Sequence, residues 1–316
     1  MATLDERANT SLPEWAAAPE VGALPRPERA RGVRALAGAG RQVGLGAAVA
    51  VLVLFVAAAV LAPWIAPHDP LGQDTRASLT PPAWSPGGSR AHPLGTDLLG
   101  RDVLSRIIHG ARVSLIVGVL SVAATLAMGV VLGLAAGYYG GVLDDVLMRL
   151  ADVQLSIPMM VFAVAIMAVL GASLFNLVLV LAITGWVLFS RVTRGIVLSL
   201  REWEFVKATQ ALGSSDRRIV LRHLLPHLVS PLVALATLEV GRRIVFEASL
   251  SFLGLGVKPP TPSWGSMLSD GREYLLVAWW PSTFPGLAIT AVVLALNLLG
   301  DWLRDRLDPQ LRTVGR

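Results

Sequence analysis

The sequence predicts an all-α membrane protein with six transmembrane helices. Of its 316 residues, 54% are hydrophobic and only 16% are charged, whereas a soluble domain carries about 25% charged residues. Uncharged stretches of about 20 residues or more recur along the chain, and a helix of that length crosses a bilayer. The chain contains no cysteine, which excludes disulfides, thiol catalysis and cysteine-based zinc sites.

The N-terminal part of the chain divides into a tail, a first span and a polar loop. Residues 1–43 are rich in Ala, Pro and Arg and predict a mostly disordered cytosolic tail. Residues 44–65 are uncharged and predict the first transmembrane helix. We expect this helix to be retained, because the 43 residues before it are more than precede the apolar region of a cleaved signal peptide. Residues 66–112 predict an outer loop that contains an amphipathic helix.

The amphipathic helix is expected within residues 97–112. Asp97 is suited to cap it, and apolar side chains follow at helical spacing. Asp102 and Arg106 stand four residues apart and are expected to pair on its polar side. We expect this helix to lie at the outer interface, either as a brace for the second span or as a contact for a binding protein.

Residues 113–303 predict the membrane core. Residues 153–190 contain no charge over 38 positions, about twice the length that one span needs. The sequence Gly171-Ala172-Ser173 is expected to form the turn that divides this stretch into two helices. The predicted spans are 44–65, 113–143, two within 153–190, 228–254 and 275–299, followed by a cytosolic tail at 304–316.

The distribution of Lys and Arg predicts that both termini are cytosolic. With that orientation, 18 of the 27 basic residues lie on the cytosolic side and 7 on the outer side, as the positive-inside rule requires. The loop between the fourth and fifth spans is then cytosolic.

That cytosolic loop contains the stretch KATQALGSSDRRIVLRHLLP, residues 207–226. Helical spacing predicts one face of a short helix, formed by Phe205, Ala208, Thr209 and Leu212. Gly213 suits the left-handed turn that ends such a helix, and Pro226 is expected to limit the helix that follows. A basic loop resting on anionic headgroups is an alternative; nucleic acid is not an expected partner, because both ends are anchored in the bilayer.

The stretch resembles the EAA loop of ABC-transporter permeases, which has Glu-Ala-Ala, three residues, Gly, nine residues and Ile-x-Leu-Pro. Lys207-Ala208-Thr209, Gly213 and His223-Leu224-Leu225-Pro226 keep this spacing. Lys207 replaces the family's Glu, and Glu204, one turn earlier, is a candidate substitute. The resemblance implies that the loop docks on an ATPase through Glu204, Lys207, Ala208, Thr209, Leu212, Gly213 and Pro226.

Three further stretches resemble the dipeptide/oligopeptide/nickel permease family, and the first and the last of them look most like its C-type subunit. They are HPLGTDLLGRDVLSRIIHGARVSL (92–115), EASLSFLGLGVKPPTPSWGSML (247–268) and NLLGDWLRDRLDPQLR (297–312). The resemblance implies a type I ABC importer permease fold in a bacterial inner membrane, and a substrate such as a di- or oligopeptide. It also implies a second homologous permease subunit, two cytosolic ATPase subunits or domains, and an extracytoplasmic substrate-binding protein.

The fifth predicted span carries charged residues that must be paired or face water. Glu239–Arg243 and Arg243–Glu247 have i,i+4 spacing, and each charge alone in lipid would cost about 2.5–3.5 kcal/mol. They either line the translocation path or form a structural ion network. Asp152 is expected to pair with Arg149 beside a kink at Pro158.

We do not expect an enzyme. The only lysines, Lys207 and Lys258, lie outside any phosphate-binding G-x-x-x-x-G-K-[ST] motif, so ATP and Mg²⁺ should be bound by partner subunits and no cofactor by this chain. No metal site is expected, because Pro226 disrupts the helix between His223 and His227, and His92 and His109 read as surface or capping residues. A secondary transporter driven by an ion gradient and a membrane scaffold or sensor remain as alternative functions.

Overall fold

The computed structural model describes the backbone of residues 29–307 and the side chains of residues 43–307. The chain divides into two units, Met1–Gln42 and Val43–Arg316. Most of the predicted N-terminal tail and residues 308–316 of the predicted C-terminal tail therefore lie outside the described residues. The first described helix begins at Arg29, which lies inside the predicted N-terminal tail.

Ten α-helices occur in the described part of the chain. They are α1 (Arg29–Ile65), α2 (Val103–Tyr139), α3 (Gly141–Ser156), α4 (Met159–Leu170), α5 (Leu174–Leu200), α6 (Glu204–Ala211), α7 (Asp216–Ile219), α8 (Leu225–Phe252), α9 (Trp264–Gly271) and α10 (Trp280–Leu307). A π-helical turn at Val220–Leu224 joins α7 to α8, and short 3₁₀ turns occur at Thr75–Ala77 and Arg272–Tyr274. The predicted all-α class is confirmed.

Five helical segments are long and apolar enough to cross a membrane, and a bent pair supplies a sixth. The five are Val43–Ile65, α2, α5, Asp216–Phe252 and α10. The pair is α3 and α4, whose axes meet at 91°. Pro158 lies at this bend, as the N-cap of α4, where its missing N–H breaks the helix instead of merely kinking it. The prediction of six spans is confirmed when the pair is counted as one.

The amphipathic helix predicted in the outer loop is not a separate element. It is the first part of α2, which begins at Val103 and runs for 37 residues. Its cap is Asp102, which accepts from the Ser105 N–H at 2.8 Å, and not Asp97. The predicted Asp102–Arg106 pair is also wrong, since Arg106 bonds to Asp97 instead.

Pro226 does not end the helix that follows Gly213. Helix is continuous from Asp216 to Phe252, and Pro226 falls in the first turn of α8, where a missing N–H costs little. The π-helical turn just before it shifts the bonding register, because the Leu225 N–H donates to the Val220 carbonyl.

Close packing of α2 against α5 forms the centre of the bundle. Glycines on α2 make this approach possible. A Cβ at Gly129 would lie 2.5 Å from Cβ of Phe189, and a Cβ at Gly133 would lie 2.5 Å from the backbone oxygen of Ser190. Phe189 is fully buried in the cluster that continues towards the 204–226 loop. Small residues at such contacts are typical of membrane helix pairs.

The long helices define two ends of the molecule. A helix of 37 residues is about 55 Å long, so the two ends of α2 lie on opposite sides of a bilayer. At its C-terminal end, Tyr138 Oη donates to Asp216 at 2.7 Å and we call this end the loop pole. At its N-terminal end, Arg106 lies near Asp270 and Trp280 Nε1 donates to the Thr96 carbonyl at 2.9 Å; we call this end the distal pole.

Candidate functional site

Helix α6 presents an exposed apolar face at the loop pole. Phe205 and Ala208 are exposed, and Leu212, the C-cap residue of the helix, is 86% exposed. Val206 on the other side is fully buried against the bundle and holds the helix in place. Thr209 is half-buried, and its hydroxyl donates to the Phe205 carbonyl at 2.7 Å, so it belongs to the edge of this face.

Gly213 forms the turn that follows α6. Its φ is +76°, the left-handed region that favours glycine. Its N–H donates to the Gln210 carbonyl at 2.9 Å, and the Ser214 N–H donates to the Thr209 carbonyl at 3.3 Å. These bonds satisfy the last carbonyls of α6 and direct the chain into α7, which gives the helix–turn–helix expected from the sequence.

The acid nearest to Lys207 is Glu202. Nζ of Lys207 lies 3.0 Å from Oε2 of Glu202, and both side chains are more than half exposed. The hydrogen bond from Lys207 holds the pKa of Glu202 below its usual value. Glu204 is exposed in the first turn of α6, where an acid complements the helix dipole.

An aromatic cluster fixes α6 to the start of α8. The rings of Phe205 and His227 stack with their centroids 6.2 Å apart, and Trp203 meets both rings edge-on. Nδ1 of His227 lies 2.8 Å from the His223 carbonyl. The exposed Pro226 lies between these two histidines in the sequence. The end of the 204–226 loop and the adjoining His227 therefore help to hold α6 in position.

The buried charges of α8 form one ion pair in place of the two expected. Nη2 of Arg243 lies 3.6 Å from Oε2 of Glu239. The other carboxylate oxygen of Glu239, Oε1, lies 2.8 Å from Nη1 of the exposed Arg242. Glu247 accepts instead from the hydroxyls of Ser251, at 2.7 Å, and Ser114, at 3.2 Å. The expected Arg243–Glu247 pair is therefore wrong, because hydroxyl groups take up that carboxylate.

Asp152 pairs with Arg191 on α5 and not with Arg149. Both side chains are largely exposed, at the loop-pole half of α5. Asp152 therefore lies apart from the buried charges of α8, and the structure does not bring it into one site with Glu239, Arg243 and Glu247.

Sequence reasoning missed the partners that other helices contribute. The Leu181 carbonyl on α5 accepts from Nη1 of Arg243 at 3.1 Å, and backbone acceptors leave no signal in a sequence. Gly185 gives Arg243 its room, since a Cβ there would lie 1.9 Å from Nη2. Ser251, four residues after Glu247, could have been found from its helical spacing.

Comparison with known proteins agrees with this architecture. The family described as binding-protein-dependent transport system inner membrane component matches residues 129–313, and the N-terminal TM domain of oligopeptide transport permease C matches residues 46–82. The inward-facing MetNI methionine ABC transporter covers 64% of this chain and 96% of its own, with a TM-score of 0.51 and 16% identity. That likeness supports the type I ABC importer permease fold.

Curated relatives are similar over most of the chain. A di/tripeptide permease, DppC, of Pseudomonas aeruginosa is 46% identical over 83% of this chain and 87% of its own. The dipeptide permease DppC of Escherichia coli K12 is 46% identical over 85% and 89%. The glutathione permease GsiD of Pectobacterium atrosepticum is 44% identical over 72% and 75%. The chain therefore belongs to the family of binding-protein-dependent transport system inner membrane components, as a C-type ABC permease of the dipeptide/oligopeptide group.

Proposed function

We propose that this chain forms half of the translocation path of an importer for di- or oligopeptides and couples to its ATPases through the 204–226 loop. In this proposal it pairs with a different, homologous permease and receives substrate from an extracytoplasmic binding protein. Two ATPase subunits or domains bind the ATP and Mg²⁺, and this chain binds no cofactor of its own.

Family membership supplies the coarser frame. The chain is a multi-pass inner-membrane permease subunit of an ABC importer, it works with a permease partner and ATPase partners, and ATP is hydrolysed by those separate subunits. The peptide class of substrate is supported by the names of relatives that share 46% identity with it.

The observation that carries the coupling role is the exposed apolar face of α6. Leu212 is 86% exposed although the helix is anchored on its other side by Val206. The residues that follow the turn, Arg217, Arg218 and Arg222, are exposed cations, so this end of the molecule does not lie among lipid tails. A short amphipathic helix with its apolar face open fits a groove on a protein partner.

The cytosolic position of the loop rests on charge. If both termini are cytosolic, 18 of the 27 basic residues in the sequence belong to the loop side of the membrane and 7 to the distal side, and such a bias supports a cytosolic loop side. An ATPase partner in the cytosol would then meet α6, and a binding protein outside the membrane would meet the distal pole.

The test is a Leu212→Ser variant of the assembled complex. Burying a Leu side chain contributes about 1.5–3 kcal/mol, so its loss should weaken ATPase association by about tenfold or more. Leu276→Ser is the matched control, because Leu276 is fully exposed near Trp280 at the distal pole. Equal recovery of the ATPase with both variants, together with normal uptake of a labelled dipeptide, would rule out this face as the docking surface.

A further inference from the structure

Three residues far apart in the sequence meet at the distal pole. His68 follows the end of α1, His92 lies in the segment between α1 and α2, and Asp102 caps α2. Nδ1 of His92 lies 3.0 Å from Oδ1 of Asp102, and Nδ1 of His68 lies 3.9 Å from Oδ2. One ligand atom from each residue can be chosen so that all three lie within 4.8 Å of one another.

We propose that His68, His92 and Asp102 bind a divalent transition-metal ion of the zinc class. Two imidazole nitrogens and one carboxylate oxygen are typical zinc ligands, and a fourth position would remain for water. Ligands about 2.0–2.1 Å from a tetrahedral ion lie about 3.4 Å apart, so modest side-chain rotations close the observed cluster around an ion. The ion would fasten the end of α1 and the following segment to the start of α2.

The carboxylate is already held in position for this role. The side chain of Asp102 is 1% exposed, and its Oδ2 accepts from the Ser105 N–H at 2.8 Å and from the Ser105 hydroxyl at 2.7 Å. The Ser105 hydroxyl in turn accepts from the backbone N–H of His68 at 3.0 Å. Supporting hydrogen bonds of this kind orient the ligands of metal sites.

The second imidazole is the observation that a simple hydrogen-bonded cap does not explain. Of the two histidines, only His92 is close enough to form a hydrogen bond with Asp102. His68 is brought beside it with the ring centroids 4.6 Å apart, yet its Nδ1 is 3.9 Å from the carboxylate, which is too far for a hydrogen bond. Two imidazole rings directed at one buried carboxylate match a metal-binding arrangement.

The donor set selects the class of ion. Ca²⁺ and Mg²⁺ prefer six or more oxygen ligands, whereas imidazole suits zinc, copper and nickel. The side chains of His68 and His92 are 39% and 17% exposed, so an ion can enter from solvent.

The experiment measures metal binding by the full chain, purified in lipid nanodiscs without a polyhistidine tag. Zn²⁺ is titrated in competition with a chromophoric chelator, and Co²⁺ is used to read the absorption of a tetrahedral ion. We expect one ion per chain, and a loss of affinity of at least about tenfold in His68→Gln, His92→Gln and Asp102→Asn. The amide oxygen of Asn can still accept from Ser105 N–H, so the helix cap should survive.

The matched control is His223→Gln/His227→Gln, which removes two histidines at the loop pole and should leave the affinity unchanged. Loss of binding in this control, displacement of Zn²⁺ by Mg²⁺ or Ca²⁺, or wild-type chain without saturable binding at micromolar Zn²⁺ would overturn the proposal. The same holds if His68→Gln, the substitution at the most exposed ligand, leaves both the affinity and the Co²⁺ spectrum unchanged.

Discussion

The guanidinium of Arg243 on α8 contacts Glu239 on the same helix and the backbone of α5, and so joins the two membrane helices. Its Nη2 lies 3.6 Å from Oε2 of Glu239, one turn earlier on α8, and its Nη1 donates to the Leu181 carbonyl at 3.1 Å. Both ionic side chains are only 2% exposed. A buried cation with one ionic partner and one backbone acceptor on a neighbouring helix favours a structural role over a path-lining role.

We predict that Arg243→Ala will reduce the amount of folded protein far more than Arg242→Ala. Breaking a buried pair costs about 3–5 kcal/mol, whereas Arg242 is 68% exposed and an exposed pair contributes about 0–1 kcal/mol. Membrane abundance and thermal unfolding in detergent measure the difference. Equal abundance of the two variants, with transport lost only in Arg243→Ala, would favour a role in the translocation path.

We predict that Gly185→Ala will reproduce part of the Arg243→Ala defect. A Cβ at position 185 would lie 1.9 Å from Nη2 of Arg243, so the guanidinium must leave its partners. Crowding of this kind costs about 1–3 kcal/mol. Gly195→Ala on the same helix meets no atom within 4 Å and should not lower the unfolding temperature; an equal loss in both variants would contradict the explanation.

The sequence predicted the number of spans because hydropathy and length govern which segments enter a bilayer. Gly171 and Gly213 were predictable for a similar reason, since turns between helices use glycine in the left-handed region. The partners of Glu247 were not, because i,i+4 spacing places Arg243 within reach but does not exclude a hydroxyl from another helix, and Ser114 is 133 residues away.

The loop before α2 was misread for a related reason. Helical spacing correctly indicated helix within residues 97–112, but not that the helix continues into the membrane as α2. Asp97 and Asp102 are both good caps by type, and the choice between them depends on tertiary contacts. Asp97 is taken by Arg101, at 2.7 Å, and by Arg106, which leaves Asp102 to cap α2.

We predict that Arg106→Ala will destabilise the distal pole. Arg106 is 4% exposed, bonds to Asp97 and lies 3.2 Å from Asp270, so it ties the start of α2 to α9. Its removal leaves the buried Asp97 with Arg101 alone and should cost about 3–5 kcal/mol. Limited proteolysis of the segment before α2 reports the effect. Arg112→Ala, exposed on the same helix, is the control, and equal protection of both variants would argue against the network.

We predict that the loop pole is cytosolic and the distal pole external. Because the chain has no cysteine, single Ser215→Cys and Leu276→Cys variants place one thiol at each pole, and both positions are exposed. An impermeant maleimide added to intact cells should label position 276 and reach position 215 only after the membrane is opened. Labelling of position 215 in intact cells would reverse the topology.

We predict that Gly213→Val will weaken ATPase association or uncouple hydrolysis from transport, while membrane insertion stays normal. A Cβ at position 213 meets no atom within 4 Å, so the effect comes from the φ of +76°, which costs a β-branched residue about 1–2 kcal/mol. Gly171→Val is the matched control, since Gly171 has a φ of +79° and equally open surroundings but precedes α5 at the distal end. Both variants should lose stability, because each puts a Cβ at a positive φ, and only Gly213→Val should lose substrate-stimulated ATPase activity. If Gly213→Val is normal and a triple change of Arg217, Arg218 and Arg222 to Gln abolishes coupling, then the loop acts through anionic headgroups and not through α6.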